Sequence, residues 1–255
     1  VMVSALAAQK PQWKPGTRHG YHALTYGHLI GEMVRRVSGQ TIGQYFNKKI
    51  AEPLNLDFWI GLPDEQFDKV TDIQPSIFPL WTRMISPFFK MIPKSFLRGD
   101  IALIKDFYDP TTIAGSAFNN PKMEIKNPFY ANTREWRKAE IPAANGHGSA
   151  RAIAKFYGVL SNGGNRDGVH LLSNETKDMA RKTESEGADL VLANLQTRFG
   201  LGFMLGSKDI SMGPAKGAFG HGGAGGSLGF GDPDNHVSIG FVMNQMHPGI
   251  TAWDT

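Results

Sequence analysis

The C-terminal part of the sequence is a series of short apolar runs separated by turn-forming residues, and this pattern limits the fold more than any other feature. Gly, Pro, Asp and Asn separate the apolar runs, which lie at residues 199–205, 218–226, 227–230 and 237–243. Such runs are typical of three or four antiparallel strands joined by tight turns. With 30 Gly and 15 Pro in 255 residues, an all-helical bundle is excluded.

The first part of the sequence has a helical pattern instead. Helical spacing of apolar side chains predicts helices at residues 2–10, 22–38, 41–51 and 150–160. Gly39 is expected to end the second of these helices, and Ser149 to cap the last. The sequence therefore predicts an α+β protein, with helices and loops at residues 1–195 and strands at residues 196–255.

Composition and charge exclude several function classes. The net charge is only +4 and no run of five like charges occurs, so nucleic acid is not an expected partner. No apolar stretch approaches the length of a transmembrane helix. The chain has no Cys, and its eight His residues lack metal-ligand spacing, so neither a metal nor another cofactor is predicted. The oligomeric state and the compartment stay open.

A glycine-rich segment near the C-terminus matches two known motifs in part. Residues 225–229 fit the Gly-x-Ser-x-Gly pattern of a nucleophile elbow around Ser227, but that motif requires a helix after the serine. Residues 220–226 resemble a dinucleotide loop, but they do not follow the first strand of a βαβ unit. A turn between two strands explains the segment better than either motif.

Three separated segments occur in an order that carries more information than any one of them. They are residues 15–32 around Tyr21, residues 145–151 (Asn-Gly-His-Gly-Ser-Ala-Arg) and residues 219–227 around His221. In this order the chain resembles the class C β-lactamase-like serine hydrolases, which include family VIII carboxylesterases and D-amino-acid peptidases. The resemblance implies a β-lactamase/transpeptidase-like fold, in which an antiparallel sheet is flanked by helices and joined to a helical domain.

The resemblance also implies roles for particular residues. Tyr21 matches the tyrosine that activates the nucleophilic serine and relays its proton, although Ala23 replaces the asparagine of the family's Tyr-x-Asn motif. His221, Gly222 and Gly223 match the Lys-Thr-Gly motif. The backbone N–H of Ala224 would then form part of the oxyanion hole.

These replacements favour a small carboxylic ester over a β-lactam as substrate. The family's Lys and Thr hold the carboxylate of a β-lactam, whereas His221 is partly neutral at pH 7 and Gly222 has no hydroxyl. β-Lactam hydrolysis and D-amino-acid peptidase activity remain alternatives. The apolar residues 77–96 either roof an acyl pocket or simply cover the helical part, and residues 147–151 are expected to start a helix near the cleft.

The family's Ser-x-x-Lys motif is missing from the sequence. No Ser or Thr is followed three places later by Lys, and the nearest match, Ser95 with Arg98, lies downstream of Tyr21. Arginine also cannot act as the base. Two hypotheses remain: the chain is incomplete at both termini and the nucleophile lies outside it, or the protein is a non-catalytic binding or scaffold relative.

Overall fold

The α-helices of the described residues all precede the six strands of the large antiparallel sheet, which is an α+β arrangement. The computed structural model describes residues 1–74, 105–106, 109–118, 130–166 and 168–247. The helices are α1 (Met2–Ala8), α2 (Thr25–Ser38), α3 (Ile42–Phe46), α4 (Ile113–Phe118), α5 (Arg134–Lys138), α6 (Ala150–Ser161) and α7 (Asn174–Ala180). None of the helices in the described ranges is long and apolar enough to cross a membrane.

The strands form one large sheet and two small ones. The small sheets pair β1 (Phe58–Ile60) with β2 (Gly146–Gly148), and β3 (Asn165–Arg166) with β4 (Val169–His170). The large sheet has the strand order β10-β9-β8-β7-β6-β5, and all of its neighbours are antiparallel. Its strands are β5 (Ser185–Ala188), β6 (Gln196–Phe199), β7 (Met204–Leu205), β8 (Phe219–Gly222), β9 (Leu228–Asp232) and β10 (Val237–Phe241).

Two strand predictions differ from the structure. The predicted strand at residues 199–205 is wrong, because β6 and β7 are separate strands joined by a turn in which Gly202 has φ +82°. The strand β5 was not predicted, because its sequence Ser-Glu-Gly-Ala has no alternating apolar pattern. It forms through pairing with β6 and not through its own propensity.

The helix ends follow the sequence closely. Gly39 ends α2 in the left-handed conformation, with φ +73°. Thr41 caps α3 through a capping box with Gln44, and the carboxylate of Glu140 also accepts the Gly43 N–H at 3.1 Å. The predicted helix over residues 41–51 changes partway, because a π-helical turn covers Asn47–Ala51.

The large sheet is covered on one face by α6. Gly229 of β9 allows this close packing, since an added Cβ would lie 2.6 Å from side-chain atoms of both Ile153 and Tyr157. Buried Phe219 packs with Leu160 and Leu205 where the helix and sheet meet. On the other face, β10 leaves Val237, Ile239 and Phe241 exposed, and β10 is an edge strand of this sheet.

The helical part meets the β1–β2 sheet through one close backbone contact. Gly27 is buried in the first turn of α2 against the loop that leads into β2. A Cβ at Gly27 would lie 2.5 Å from the backbone nitrogen of Ala143. This contact joins the Tyr21 segment to the segment that contains His147.

Two glycines of α2 provide a matched test of that contact. Gly27→Ala should lower the free energy of unfolding by about 1–3 kcal/mol, because the methyl group has no room. Gly31→Ala adds the same group to the same helix, but its nearest neighbours lie 3.6–3.8 Å away. That control should be neutral or more stable by up to about 1 kcal/mol. Urea unfolding of both variants measures the difference, and equal effects would disprove the close contact.

Candidate active site

Tyr21 lies in an irregular segment just before α2, against the end of the large sheet. Its half-buried ring stacks on Phe199 of β6, with the ring centroids 6.1 Å apart and the planes inclined by 13°. The ring of His221, on β8, lies on Tyr21 as well, with a centroid distance of 5.7 Å. Two residues predicted from segments 200 positions apart are thus neighbours.

The backbone of Tyr21 is held by Asp189, which is fully buried in the loop between β5 and β6. Asp189 Oδ1 accepts the N–H of Tyr21 at 3.0 Å and those of Val191 and Leu192 at 2.9 and 3.0 Å. Its other oxygen accepts the Thr197 hydroxyl at 3.4 Å. The same carboxylate therefore closes its own loop and fixes the Tyr21 segment.

His19 extends this group of contacts. Its Nε2 lies 2.9 Å from the Thr197 hydroxyl oxygen and 3.7 Å from Asp189 Oδ2. Because Thr197 donates its proton to Asp189, the Nε2 of His19 must be the donor to Thr197. Its ring also meets Phe199 edge to face, with centroids 6.5 Å apart.

His221 lies where β8 ends and the glycine-rich turn begins. Its Nδ1 is hydrogen-bonded to the Gly222 carbonyl oxygen. A carbonyl can only accept, so Nδ1 carries the proton and a neutral ring leaves Nε2 as an acceptor. At the position predicted to match the family's cationic lysine, the structure has an imidazole whose Nε2 has no hydrogen-bond partner among the described residues.

The turn after β8 exposes a backbone donor. The Gly223 N–H donates to the Ser227 carbonyl at 2.7 Å and closes the turn, and the Gly226 N–H donates to Gly223 at 3.1 Å. Ala224 is exposed between them, and its N–H has no acceptor among the described residues. An N–H without an acceptor, three residues after His221, can bind a developing oxyanion.

Ser227 does not lie in a nucleophile elbow. Strand β9 begins at the next residue, and the elbow requires a helix there. Gly225 and Gly226 have φ +83° and +114°, as a tight turn between antiparallel strands requires. The prediction of a strand-connecting turn is confirmed.

The segment at residues 145–151 forms a strand and then a helix. His147 lies on β2 opposite Trp59, and Ser149 caps α6 by accepting the Ala152 N–H at 3.2 Å. Nδ1 of His147 is buried and has no hydrogen-bond partner among the described residues. The predicted helix start is confirmed, whereas residues 77–96, Ser95 and Arg98 lie outside the described residues.

Burial keeps the site residues in their neutral forms. Burial raises the pKa of the Tyr21 phenol, and the negative charge of Asp189 raises it further. Burial lowers the pKa of His221 more than its bond to Gly222 raises it. Burial likewise lowers the pKa of His147. At neutral pH the described residues thus present a phenol that can donate and an imidazole that can accept.

Sequence reasoning missed the residues that hold Tyr21 in place. Asp189, Thr197 and Phe199 lie outside the three segments, and His19 lies within residues 15–32 but was given no role. Asp189 had one detectable feature, since it begins a run of apolar residues at 190–193. A lone carboxylate beside such a run indicates a buried acceptor for backbone N–H groups.

The fold and the order of these segments define a protein of the β-lactamase/transpeptidase-like class. A sequence profile of the β-lactamase family matches residues 1–252, and the chain belongs to that family. The resemblance and the fold predicted from the sequence are confirmed.

The chain is similar to curated and structurally solved members of this group. It is 31% identical to the esterase/β-lactamase LipL of Mycobacterium tuberculosis over 258 residues, which cover 100% of this chain and 54% of LipL. It is 36% identical to a penicillin-binding protein homologue from Caulobacter crescentus, with a TM-score of 0.76 over 98% of this chain and 59% of that one. A family VIII carboxylesterase gives 35% identity and a TM-score of 0.76, with coverage of 96% and 58%. The chain spans about half the length of the curated relatives it matches.

The lowered histidine pKa values predict a pH-dependent stability. An unfolded His titrates near 6.5, and folded His221 titrates below that value. The unfolded state therefore binds more protons as the pH falls through this range, and the free energy of unfolding should decrease. His221→Gln should reduce the decrease between about pH 7.5 and about pH 5.5, measured by urea unfolding. An unchanged decrease would show that His221 titrates normally in the folded protein.

Proposed function

We propose that the full-length protein is a serine hydrolase that acts through an acyl-enzyme on small carboxylic esters. The nucleophilic serine lies in a part of the protein outside this chain. The observation that carries the proposal is the contact of Tyr21 with His221, which lies three residues before Ala224, whose N–H has no acceptor among the described residues. This arrangement combines a proton-transfer group with an oxyanion donor at one end of the sheet.

Tyr21 carries the proton in this mechanism. In attack on the ester, the serine hydroxyl loses its proton as its oxygen bonds to the carbonyl carbon, and the leaving alcohol takes up a proton as its C–O bond breaks. Burial and Asp189 both favour the neutral phenol, which is the form that can protonate the alcohol. A nearby cation is required for the phenolate to act as the base in the first step, and the lysine of a Ser-x-x-Lys motif would supply it.

The Ala224 N–H and the N–H of the nucleophile would stabilise the oxyanion. Gly222 and Gly223 precede Ala224 and have no side chains that would keep the ester carbonyl away from the backbone. Because this donor is fixed by the turn and not by a mobile side chain, it needs little rearrangement in the transition state.

The chemistry at His221 favours an uncharged ester. A carboxylate is attracted to a cation, and neutral His221 offers a lone pair at Nε2 instead. A substrate with a carboxylate near β8 would meet no compensating charge from this residue. The names of two similar proteins, an esterase/β-lactamase and a family VIII carboxylesterase, agree with an ester substrate.

The role of Tyr21 is tested in the full-length protein with Tyr21→Phe. Removing the phenolic oxygen should lower kcat for p-nitrophenyl acetate by about 10²- to 10⁴-fold, the usual contribution of a proton-transfer group. Tyr26→Phe removes the same atom from an exposed tyrosine of α2 and should leave kcat unchanged. A kcat in Tyr21→Phe equal to that of the natural protein would rule out the proposed role.

The nucleophile is identified by labelling the full-length protein with a fluorophosphonate and mapping the adduct by mass spectrometry. We expect the adduct on a serine outside this chain. An adduct on the peptide around Ser227 would instead support an elbow-type esterase. No adduct together with no ester turnover would support the non-catalytic scaffold.

The substrate preference is tested by restoring a cation at position 221. The natural protein should have a higher kcat/KM for p-nitrophenyl acetate than for a cephalosporin, which carries a carboxylate. His221→Lys should lower the KM for the cephalosporin, because its ammonium can pair with the carboxylate. His170→Lys adds the same charge at an exposed residue of β4 and should have no such effect. Equal responses in both variants would contradict a specificity role for His221.

A further inference from the structure

We propose that Asp189 is a positioning residue that fixes the backbone of Tyr21 and so sets the place of its phenol in the reacting site. This inference rests on the proposed function of Tyr21. It assigns to the β5–β6 loop a role in the reaction, although no residue of that loop belongs to a motif.

The segment that contains Tyr21 has no regular secondary structure to hold it. Helix α2 begins only at Thr25, so the Tyr21 N–H is not part of a helix ladder. Its acceptor is Asp189 Oδ1, 168 residues away in the sequence. A second bond, from the Leu190 N–H to the His19 carbonyl at 3.3 Å, lies beside the first. The two bonds attach residues 19–21 to the loop as a short, defined stretch.

Asp189 is suited to fixing the Tyr21 backbone because its carboxylate is completely buried and is surrounded by hydrogen-bond donors. A charged carboxylate without partners would be strongly disfavoured at 0% exposure. Three N–H donors, a hydroxyl and a histidine ring surround it, and no Lys or Arg of the described residues pairs with it. The loop is thus rigid where it meets Tyr21, and each donor limits the movement of the others.

Apart from a local bond in which the Tyr21 carbonyl accepts the Ala23 N–H at 3.1 Å, the other contacts of Tyr21 involve its ring. Phe199 stacks on one side and His221 lies at a tilt of 31°. Stacked rings can slide over one another, whereas a hydrogen bond from the backbone sets the position of Cα. Asp189 and Phe199 together therefore determine where the phenolic oxygen lies.

Asp189 also acts on Tyr21 through its charge. Its negative charge opposes formation of the phenolate and raises the pKa of Tyr21 after the larger effect of burial. The other titratable groups beside Tyr21 in the described residues are His221 and His19. Removal of the charge at position 189 should therefore favour the phenolate.

Two substitutions in the full-length protein separate position from charge. Asp189→Asn keeps an oxygen that can accept the three N–H bonds but removes the charge. Tyr21 should then ionise at lower pH. The limb of the pH profile of kcat that Tyr21→Phe removes should therefore move to lower pH. Asp189→Ala removes the acceptor as well. Its kcat should fall by about tenfold or more with little change in KM, because a small displacement of a reacting group is costly.

A matched control is Asp209→Asn, which makes the same chemical change at an exposed aspartate. Asp209 accepts the Gln196 N–H at 2.7 Å and has no contact with Tyr21. Its pH profile and kcat should equal those of the natural protein. Thermal unfolding of all three variants shows how much of each effect is loss of folded protein.

The outcomes distinguish the two proposals. If Tyr21→Phe lowers kcat as expected but folded Asp189→Ala keeps the kcat of the natural protein, Asp189 is a structural residue only and the positioning proposal fails. If Tyr21→Phe keeps the kcat of the natural protein, the proposed function fails whatever Asp189 does. A fall in kcat in folded Asp189→Ala that is much larger than in Asp189→Asn, with the control unchanged, supports the positioning role.

Discussion

The buried carboxylate of Asp189 is the interaction on which the arrangement of this site depends. It accepts N–H groups from its own loop and from Tyr21, and so joins the β5–β6 loop to the segment before α2. A charge at 0% exposure persists only when all its partners are in place. The position of the tyrosine is thus coupled to the folding of the β5–β6 loop.

Glycines in the same region act through their lack of a side chain. At Gly229 it lets α6 approach the sheet, and after β8 it lets the turn carry a free backbone donor at Ala224. The high glycine content, which first indicated only loops and turns, is concentrated where backbones must come close together. Bulkier residues there would separate the sheet from its helix and block access to the donor.

The fold could be predicted from the sequence better than the contacts of the site. Helix α2 and its end at Gly39 follow from apolar spacing and one glycine, both of which are local properties. Strand β5 could not be predicted, because its Ser-Glu-Gly-Ala sequence is a strand only when paired with β6. Tyr21 and His221 were found through motif order, whereas Asp189, Thr197 and His19 were missed because their roles come from long-range contacts.

The sequence by itself determined the α+β class, the family resemblance and the residue types available for chemistry, because these depend on short-range pattern and on composition. Only the tertiary structure decided that Tyr21 stacks between Phe199 and His221 and that Asp189 holds it. It also decided the protonation states, since burial keeps both the phenol and the imidazole neutral. Burial and contacts across 168 residues of sequence arise only when the chain has folded, so no local pattern contains them.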